Sequence, residues 1–324
     1  MNNHFFVNYN HEIRLFVVLA SILLFLFLSS FFFGLMTDRS DRSVPTETAS
    51  RPFPNVVLEA KAAYVYDVRN QTVLFAKNED TRLPLASLTK IMSALVAKDL
   101  SPLHSTVTIS NESLQADGDS GFHTGERWKL KDIIDFSLIT SSNDGIRAVA
   151  LSLGAINRVT ASPEEIIDDF VGEMNIKAGE LGLKNTYFWN ESGLDLPVET
   201  GESMMKNGAY GTARDVSTLL EHILLYNPEL LRATKEVSVT FRSLDNYEYI
   251  AKNTNDIAAK IPGLMISKTG YTNTAGGNLA VVFDPELGRP IIIIVLSSTR
   301  EDRFADVITL VDAAMEHLKK SSKK

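Results

Sequence analysis

A serine and a lysine near the start of a predicted helix could act together as a nucleophile and its base. In the stretch "LPLASLTKIMSALVAKD", residues 83–99, Ser87 precedes Lys90 by three residues. Apolar residues at three- and four-residue spacing predict a helix that begins near Ser87, and residues i and i+3 of a helix share one face. A serine becomes a good nucleophile only when a base takes its proton, and burial can lower the pKa of a lysine enough for that task.

The same two residues also fit an ordinary helix start, because serine is a common N-cap. Two further stretches favour the chemical interpretation. "LITSSNDG" carries Ser-Ser-Asn at residues 141–143, and "LMISKTGYT" carries Lys-Thr-Gly at residues 268–270. In this order the three stretches match S-x-x-K, S-x-N and K-T-G, the motif set of penicillin-binding proteins and serine β-lactamases. Ser142 stands where the middle motif often has aspartate, a position that varies among penicillin-binding proteins.

Longer stretches resemble the low-molecular-mass penicillin-binding proteins that are serine D-alanyl-D-alanine carboxypeptidases. The resemblance rests on "AAYVYDVRNQTVLFAKNEDTRLPLASLTKIMSALV", "ELGLKNTYFWNESGLD", "YGTARDVSTLL" and "ISKTGYTNTAGGNLAVVF", and it covers nearly all of residues 57–318. It implies the β-lactamase/transpeptidase-like fold, an α/β (α+β) fold in which a five-stranded antiparallel sheet is flanked by helices and carries a helical insertion. The residue pattern agrees, since strand-like runs lie at both ends of this region and helical periodicity fills the middle.

The resemblance also assigns roles in catalysis. Ser87 would form an acyl-enzyme, and Lys90 would be its base. Ser141 would pass a proton to the leaving D-alanine, and Asn143 would hold the substrate amide. Lys268 would supply positive charge and help to keep Lys90 neutral. No metal or other cofactor is implied.

Substrate-binding roles follow from the same resemblance. Thr269 would bind the terminal carboxylate of the substrate, with Gly270 and Tyr271 beside it. The backbone N–H groups of the nucleophile and of Tyr271 would form the oxyanion hole. Arg300 or Arg303 would add positive charge for the carboxylate, and the sequence does not choose between them.

The first 56 residues do not resemble a globular domain. Residues 15–36, "LFVVLASILLFLFLSSFFFGLM", contain no charged side chain, and a transmembrane helix needs about 20 such residues. A cleaved signal peptide, with an apolar region of about 7–15 residues, is the alternative. We predict a cytoplasmic segment at 1–14, a single-pass cell-membrane anchor at 15–36, a flexible linker at 37–56 and a catalytic domain at 57–324. The catalytic domain is expected outside the cytoplasm, where its substrate lies.

Composition narrows the function further. The net charge of −8 gives no reason to expect nucleic acid as a partner, and the lack of cysteine excludes disulfides and thiol nucleophiles.

The resemblance implies peptidoglycan stem peptides as substrates and β-lactams as covalent inhibitors. Many relatives carry a β-rich second domain and a C-terminal amphipathic anchor. This sequence is expected to lack both, because it ends at Lys324, soon after the K-T-G motif.

Several alternatives remain beside the carboxypeptidase. The same site could cut the D-Ala–diaminopimelate cross-link as an endopeptidase. A β-lactamase would need a deacylating group, for which Glu191 is the nearest candidate. A non-catalytic relative would bind wall peptides and would not be acylated by penicillin.

"GDSG" at residues 118–121 matches the serine segment of trypsin-like proteases, but that fold is all-β, so a solvent-facing turn is predicted there.

Local patterns predict the element boundaries. Ser162 and Glu165 form a predicted capping box at a helix start, and either Thr212 or Ser217 caps the next helix. A last amphipathic helix is predicted over about residues 303–318. The predicted strands are residues 62–68 and 71–77, which form a hairpin, and residues 263–270, 277–284 and 289–298.

Overall fold

The computed structural model describes residues 52–155, 161–197 and 205–321 of the chain. The helices, numbered along this described part, are α1 (Thr89–Leu100), α2 (Leu130–Thr140), α3 (Asn143–Gly154), α4 (Pro163–Glu180), α5 (Ala213–Tyr226) and α6 (Asp302–Ser321). The strands are β1 (Ala62–Asp67), β2 (Thr72–Lys77), β3 (Leu83–Pro84), β4 (Thr106–Thr108), β5 (Arg127–Lys129), β6 (Tyr187–Phe188), β7 (Leu196–Pro197), β8 (Met205–Lys206), β9 (Ala209–Gly211), β10 (Ser238–Arg242), β11 (Glu248–Lys252), β12 (Leu264–Thr272), β13 (Gly276–Phe283) and β14 (Ile291–Ser298).

The predicted membrane anchor at residues 15–36 lies outside the described residues, as do the segment before it and residues 37–51 of the predicted linker. In the part of the chain that the structure describes, no helix is long and apolar enough to cross a membrane. The anchor and the domain boundaries therefore stay predictions.

A five-stranded antiparallel sheet forms the framework of the domain, in the order β12-β13-β14-β1-β2. β1 and β2 form the predicted hairpin, and β1 also pairs with β14, with Ala62 opposite Leu296 and Asp67 opposite Ile291. The first and the last strands of the domain are therefore neighbours, and the helical block is an insertion between them. This arrangement confirms the predicted fold, and it leaves β12 at one edge of the sheet.

Helices cover both faces of the sheet, and β14 has the sequence that this position requires. All eight of its residues, "IIIIVLSS", are buried, as expected for a strand with two covered faces. Ile292 and Ile294 belong to the hydrophobic core shared with α1 to α5. Ile291 and Ile293 belong to the core shared with α6. Because successive side chains of a strand point to opposite faces, one apolar run supplies both cores.

Two helices begin at predicted side-chain caps. At the start of α4, the Glu165 N–H donates to the Ser162 hydroxyl at 3.3 Å, and the Ser162 N–H donates to the Glu165 carboxylate at 2.8 Å. At the start of α5, the Asp215 N–H donates to Thr212 Oγ1 at 3.0 Å. The sequence left Thr212 and Ser217 open as caps; Thr212 is the cap, and Ser217 lies buried within α5.

Short strands that were not predicted complete the domain. β3, β9 and β6 form a small sheet, in which Leu83 pairs with Gly211. The Leu85 N–H then donates to the Ala209 carbonyl at 3.1 Å. These bonds hold the chain directly ahead of Ser87. β10 and β11 form a further hairpin, with Ser238 opposite Lys252.

Candidate active site

Two chain segments meet the edge strand β12, and each of these three parts of the chain carries one of the sequence motifs. Ser87 lies in a 3-10 turn, Ala86–Leu88, that leads directly into α1, so the predicted helix start is confirmed. Ser141 separates α2 from α3 and has φ 63° and ψ 30°, in the left-handed region. Lys268 lies in the middle of β12. Hydrogen bonds of the two motif lysines join the segments.

The backbone of the nucleophile turn has an unusual conformation and close neighbours. Ala86 has φ 46°, which is rare for a residue other than glycine. A methyl group at position 193 would lie 1.9 Å from the Ala86 oxygen, and one at position 270 would lie 3.2 Å from the Ser87 nitrogen. Gly193 and Gly270 therefore let a loop and β12 contact this turn from two sides.

Lys90 is fully buried, and its amine contacts the Ser87 hydroxyl and two oxygens that can only accept hydrogen bonds. Its Nζ lies 2.8 Å from Ser87 Oγ, 2.7 Å from Asn143 Oδ1 and 3.0 Å from the Ser192 carbonyl oxygen. Burial lowers the pKa of Lys90 to about 7, although the negative charges of Glu191 and Asp144 partly oppose that effect. At neutral pH a large share of the amine is thus uncharged.

The three partners of Lys90 direct its lone pair. A neutral amine has two hydrogens and one lone pair. Asn143 Oδ1 and the Ser192 carbonyl can only accept, so they take both hydrogens. The lone pair then faces the Ser87 hydroxyl, which is the only one of the three partners that can donate. This geometry suits proton transfer from Ser87 to Lys90.

Lys268 is also buried, in a different setting. Its Nζ donates to Ser141 Oγ at 2.9 Å and to the Thr269 carbonyl at 2.9 Å. Burial lowers the pKa of Lys268 well below its usual value, and the cations Lys90 and Arg303 lower it further. The hydrogen bond to Ser141 places the K-T-G and S-x-N motifs in one cleft.

The remaining predicted residues follow Lys268 along β12. Thr269 Oγ1 lies 2.6 Å from Thr254 Oγ1, a partner that the sequence did not indicate. Tyr271 is exposed, and the Arg300 guanidinium lies over its ring at 5.0 Å. Arg303 is buried and donates from Nη1 to the Gly270 carbonyl at 3.1 Å. Of the two arginines, Arg300 is thus the exposed one.

Ser142, which stands where the middle motif often has aspartate, lies beside a buried carboxylate. The Ser142 hydroxyl donates to Asp144, whose carboxylate is buried two residues later. The hydroxyl of Ser120 donates to Asp144 Oδ1 at 2.6 Å. The predicted solvent-facing turn at residues 118–121 is correct for its exposed members Gly118, Asp119 and Gly121. It is wrong for Ser120, because the Ser120 hydroxyl bonds inward to Asp144.

Glu191, the candidate deacylating group of a β-lactamase, faces a different partner. Its carboxylate is buried, and Oε1 lies 3.4 Å from Arg147 Nη1. The second carboxylate oxygen has no hydrogen-bond partner among the described residues. Within the described residues, neither carboxylate oxygen of Glu191 forms a hydrogen bond with Ser87 or Lys90. The contribution of Glu191 to the site is its negative charge near Lys90.

Two backbone carbonyls of the site were not predicted from the sequence. The Ser192 carbonyl binds Lys90, and the Asp117 carbonyl accepts from Asn143 Nδ2 at 2.7 Å. A carbonyl has no side-chain signature, so only the folded chain identifies it. With these groups in place, the fold and the site define an active-site serine enzyme of the β-lactamase/transpeptidase class.

Comparison with known proteins narrows this class to one family. Residues 46–299 match the model of the peptidase S11 family, D-alanyl-D-alanine carboxypeptidase. D-alanyl-D-alanine carboxypeptidase DacF of Bacillus subtilis is 29% identical, over 89% of this chain and 70% of the relative. A D-alanyl-D-alanine endopeptidase of Pseudomonas aeruginosa is 31% identical, over 86% of each chain. The ampicillin-bound structure of penicillin-binding protein D2 from Listeria monocytogenes has TM-score 0.63 and 29% identity, and it covers 81% of this chain and 99% of its own.

The chain belongs to the D-alanyl-D-alanine carboxypeptidase family of serine peptidases. The predicted family, fold and class of enzyme are confirmed. Relatives with the name carboxypeptidase and relatives with the name endopeptidase both occur, in line with the alternative left open by the sequence.

Proposed function

We propose that this chain removes the terminal D-alanine from peptidoglycan pentapeptides, through an acyl-enzyme on Ser87. One observation carries the proposal: Lys90 is buried, its Nζ lies 2.8 Å from the Ser87 hydroxyl oxygen, and its pKa is about 7. A general base is most effective when its pKa lies near the working pH.

The contacts support the following sequence of events. Lys90 takes the Ser87 proton as Oγ attacks the carbonyl carbon of the penultimate D-alanine. The backbone N–H groups of Ser87 and Tyr271 hold the oxyanion. Ser141, which accepts a hydrogen bond from Lys268, gives its proton to the departing amine and is reprotonated by Lys268. In the hydrolysis that follows, water attacks the ester and gives a proton to Ser141, which returns one to Lys268. Lys90 returns its proton to Ser87 Oγ, and the enzyme is regenerated.

The position of β12 supports a binding direction for the peptide. β12 is an edge strand, so its free edge can pair with an extended substrate. The terminal carboxylate would then lie near Thr269 and Lys268. Arg300 is the exposed cation at this end of the site, above Tyr271. We assign the additional carboxylate contact to Arg300, because Arg303 is buried against the Gly270 carbonyl.

A test of the catalytic proposal uses the full chain in detergent, with benzylpenicillin, followed by intact mass over time. Ser87→Ala should give no adduct. Ser101→Ala, at the other end of α1, is the matched control and should be acylated like the wild type. Rapid turnover of the adduct would favour a β-lactamase, and no adduct on folded wild-type protein would favour a non-catalytic binder of wall peptides.

An endopeptidase is the second candidate, since a relative of that name matches 86% of each chain. A purified pentapeptide and a cross-linked muropeptide dimer distinguish the two activities. Faster release of D-alanine from the pentapeptide supports the carboxypeptidase. Faster cleavage of the dimer supports the endopeptidase.

We also propose that residues 15–36 anchor the protein in the cell membrane, with the catalytic domain on the outer side. Their length and lack of charge support an anchor, and the location of peptidoglycan supports the orientation. Protease treatment of intact spheroplasts should digest the domain and spare residues 1–14. A mature N-terminus beyond residue 36 would indicate a cleaved signal peptide instead.

A further inference from the structure

Asn143 contacts Lys90 with one end of its amide and a neighbouring loop with the other. Its Oδ1 accepts from Lys90 at 2.7 Å, and its Nδ2 donates to the Asp117 carbonyl at 2.7 Å. Half a rotation of the amide would exchange the two atoms. The Asp117 carbonyl accepts only, so its position decides that the oxygen, and not the nitrogen, faces Lys90.

The loop that carries this carbonyl is held to α3 by Ser120. The Ser120 hydroxyl donates to Asp144 Oδ1 at 2.6 Å, and the Ser120 N–H donates to Asp144 Oδ2 at 3.0 Å. The same hydroxyl lies 2.8 Å from Ser142 Oγ. Asp144 is buried in the first turn of α3, next to Asn143. One buried carboxylate thus joins the loop to the helix that carries Asn143.

Within the turn that runs from Asp117 to Gly121, the Gly121 N–H donates to Asp119 Oδ1 at 2.7 Å, a bond that does not reach Asp117. Asp117, Gly118 and Asp119 are exposed. Gly118 has φ 105° and Gly121 has φ 78°, conformations that favour glycine. Glycine loses more conformational freedom on ordering than any other residue. The place of the Asp117 carbonyl therefore depends on the bonds of Ser120.

We infer that Ser120, acting with Asp144, is a positioning residue: it keeps the Asp117 carbonyl on Asn143 Nδ2 and thereby keeps Asn143 Oδ1 on Lys90. The inference rests on the proposed function, in which Lys90 is the base of Ser87. If the loop is released, the Asn143 amide can turn and present N–H donors to Lys90. The Lys90 lone pair would then accept from Asn143 and be withdrawn from Ser87.

The choice of variant follows from the charges around Lys90. These are the carboxylates of Glu191 and Asp144 and the amine of Lys268. A substitution of Asp144 would change the charge near Lys90 directly. Ser120 is uncharged, so Ser120→Ala loosens the loop by removing the hydroxyl bond to Asp144, keeps the N–H bond, and leaves these charges in place.

The experiment measures the second-order rate of acylation of the full chain by benzylpenicillin from pH 5 to pH 9. We expect Ser120→Ala to lower the plateau rate about tenfold, since one hydrogen bond is lost. We also expect the acidic limb to move to lower pH, because an N–H donor beside Lys90 disfavours its charged form. A loss of folded protein would lower the amplitude and leave the limb where it was.

Three more variants complete the test. Ser120→Thr keeps the hydroxyl and should restore the wild-type profile. Gly118→Ala strains the same turn without touching the hydroxyl, and it should reproduce both the lower plateau and the shifted limb. Thr124→Val removes an exposed hydrogen bond to Asn111 in the same segment, and it should leave the profile unchanged.

Two results would overturn the inference: a wild-type plateau and limb in Ser120→Ala, or a lower plateau whose limb has not moved. These results leave the proposed function intact, because the wild type is still acylated. Failure of the wild type to be acylated is the separate outcome that refutes the function of Ser87.

Discussion

Lys90 and Lys268 lie in the same cleft and are equally inaccessible, but the charges around them have opposite signs. Lys90 is 0% and Lys268 2% exposed. The carboxylates of Glu191 and Asp144 oppose the effect of burial on Lys90, whose pKa is about 7. Lys268 has cations as neighbours, Lys90 and Arg303, and they add to the effect of burial on its pKa.

This difference separates the two lysines by the groups that stabilise their charged forms. Lys90, with a pKa of about 7, can exchange a proton near neutral pH, as a general base must. Burial and the cations Lys90 and Arg303 lower the pKa of Lys268, so a carboxylate that bound beside it would favour its charged form. Binding of the substrate carboxylate should therefore strengthen the predicted role of Lys268 as a source of positive charge.

The largest effect is expected when Lys90 can no longer lose its proton. Arginine stays protonated in proteins, so Lys90→Arg keeps the charge and abolishes the base. We expect the rate of acylation by benzylpenicillin to fall about a thousandfold. Lys98→Arg, at the exposed end of the same helix, is the control. A Lys90→Arg variant that keeps a tenth of the activity would show that another group takes the Ser87 proton.

A smaller effect, and of another kind, is expected at Lys268. Lys268→Gln removes the charge that would meet the substrate carboxylate. We expect KM for a pentapeptide to rise about 10- to 100-fold, with a smaller change in kcat, as for the loss of a hydrogen bond to a charged group. Steady-state kinetics of D-alanine release measures both constants. A fall in kcat as large as that of Lys90→Arg, with KM unchanged, would make Lys268 the base and reverse the comparison.

The pH dependence tests the electrostatic part of the comparison. Activity requires neutral Lys90, so the wild-type acylation rate should rise as pH increases through about 7. The negative charge of Glu191 raises the pKa of Lys90. Glu191→Gln should therefore lower that pKa and move the acidic limb to lower pH. At pH 6 the variant should be acylated faster than the wild type, and at pH 9 the two rates should agree within about threefold.

An unchanged acidic limb in Glu191→Gln would mean that Lys90 is not the group that titrates. Loss of acylation at every pH would instead assign Glu191 a direct part in the reaction. Glu221→Gln is the control for the change of carboxylate to amide, because Glu221 lies on α5 and near Tyr66, at a distance from the Lys90 partners.

The smallest effect is expected at Arg300, the exposed arginine on the Lys268 side. Arg300→Gln should raise KM for the pentapeptide by less than about fivefold and leave kcat unchanged, as is typical of exposed ion pairs. Added salt should reduce the difference from the wild type. Arg232→Gln, another exposed arginine, is the control. A wild-type KM in Arg300→Gln would return the choice to Arg303.

The sequence predicted the site best where a side chain and its spacing determine the chemistry. Ser87 and Lys90 are three residues apart on one helical turn, so their contact follows from helix geometry. The meeting of Lys268 with Ser141 depended on the resemblance to a known family, because no local rule joins residues so distant in the chain. The strands of the sheet, in contrast, were predicted from local patterns, because β1, β2 and β12 to β14 each have a clear strand pattern.

Other parts of the site have no signature in a single sequence. Ser120 lies in a Gly-Asp-Ser-Gly stretch whose composition indicates only a turn, yet its hydroxyl bonds to buried Asp144. The Asp117 and Ser192 carbonyls are backbone groups, and any residue type could supply them. The left-handed conformation of Ala86 was also unpredictable, because alanine rarely adopts it. Tertiary contacts determine all of these positions.

The pairing of β1 with β14 has a consequence for the order in which the protein acquires its reactivity. Ser87 and Lys90 leave the ribosome well before β12, which carries the second lysine of the cleft. Sheet pairing between distant segments is slow relative to the formation of helices. A chain whose last strands have not yet joined the first has its serine but an incomplete cleft, and it should not react with penicillin. Covalent labelling by a β-lactam therefore measures, molecule by molecule, the completion of folding.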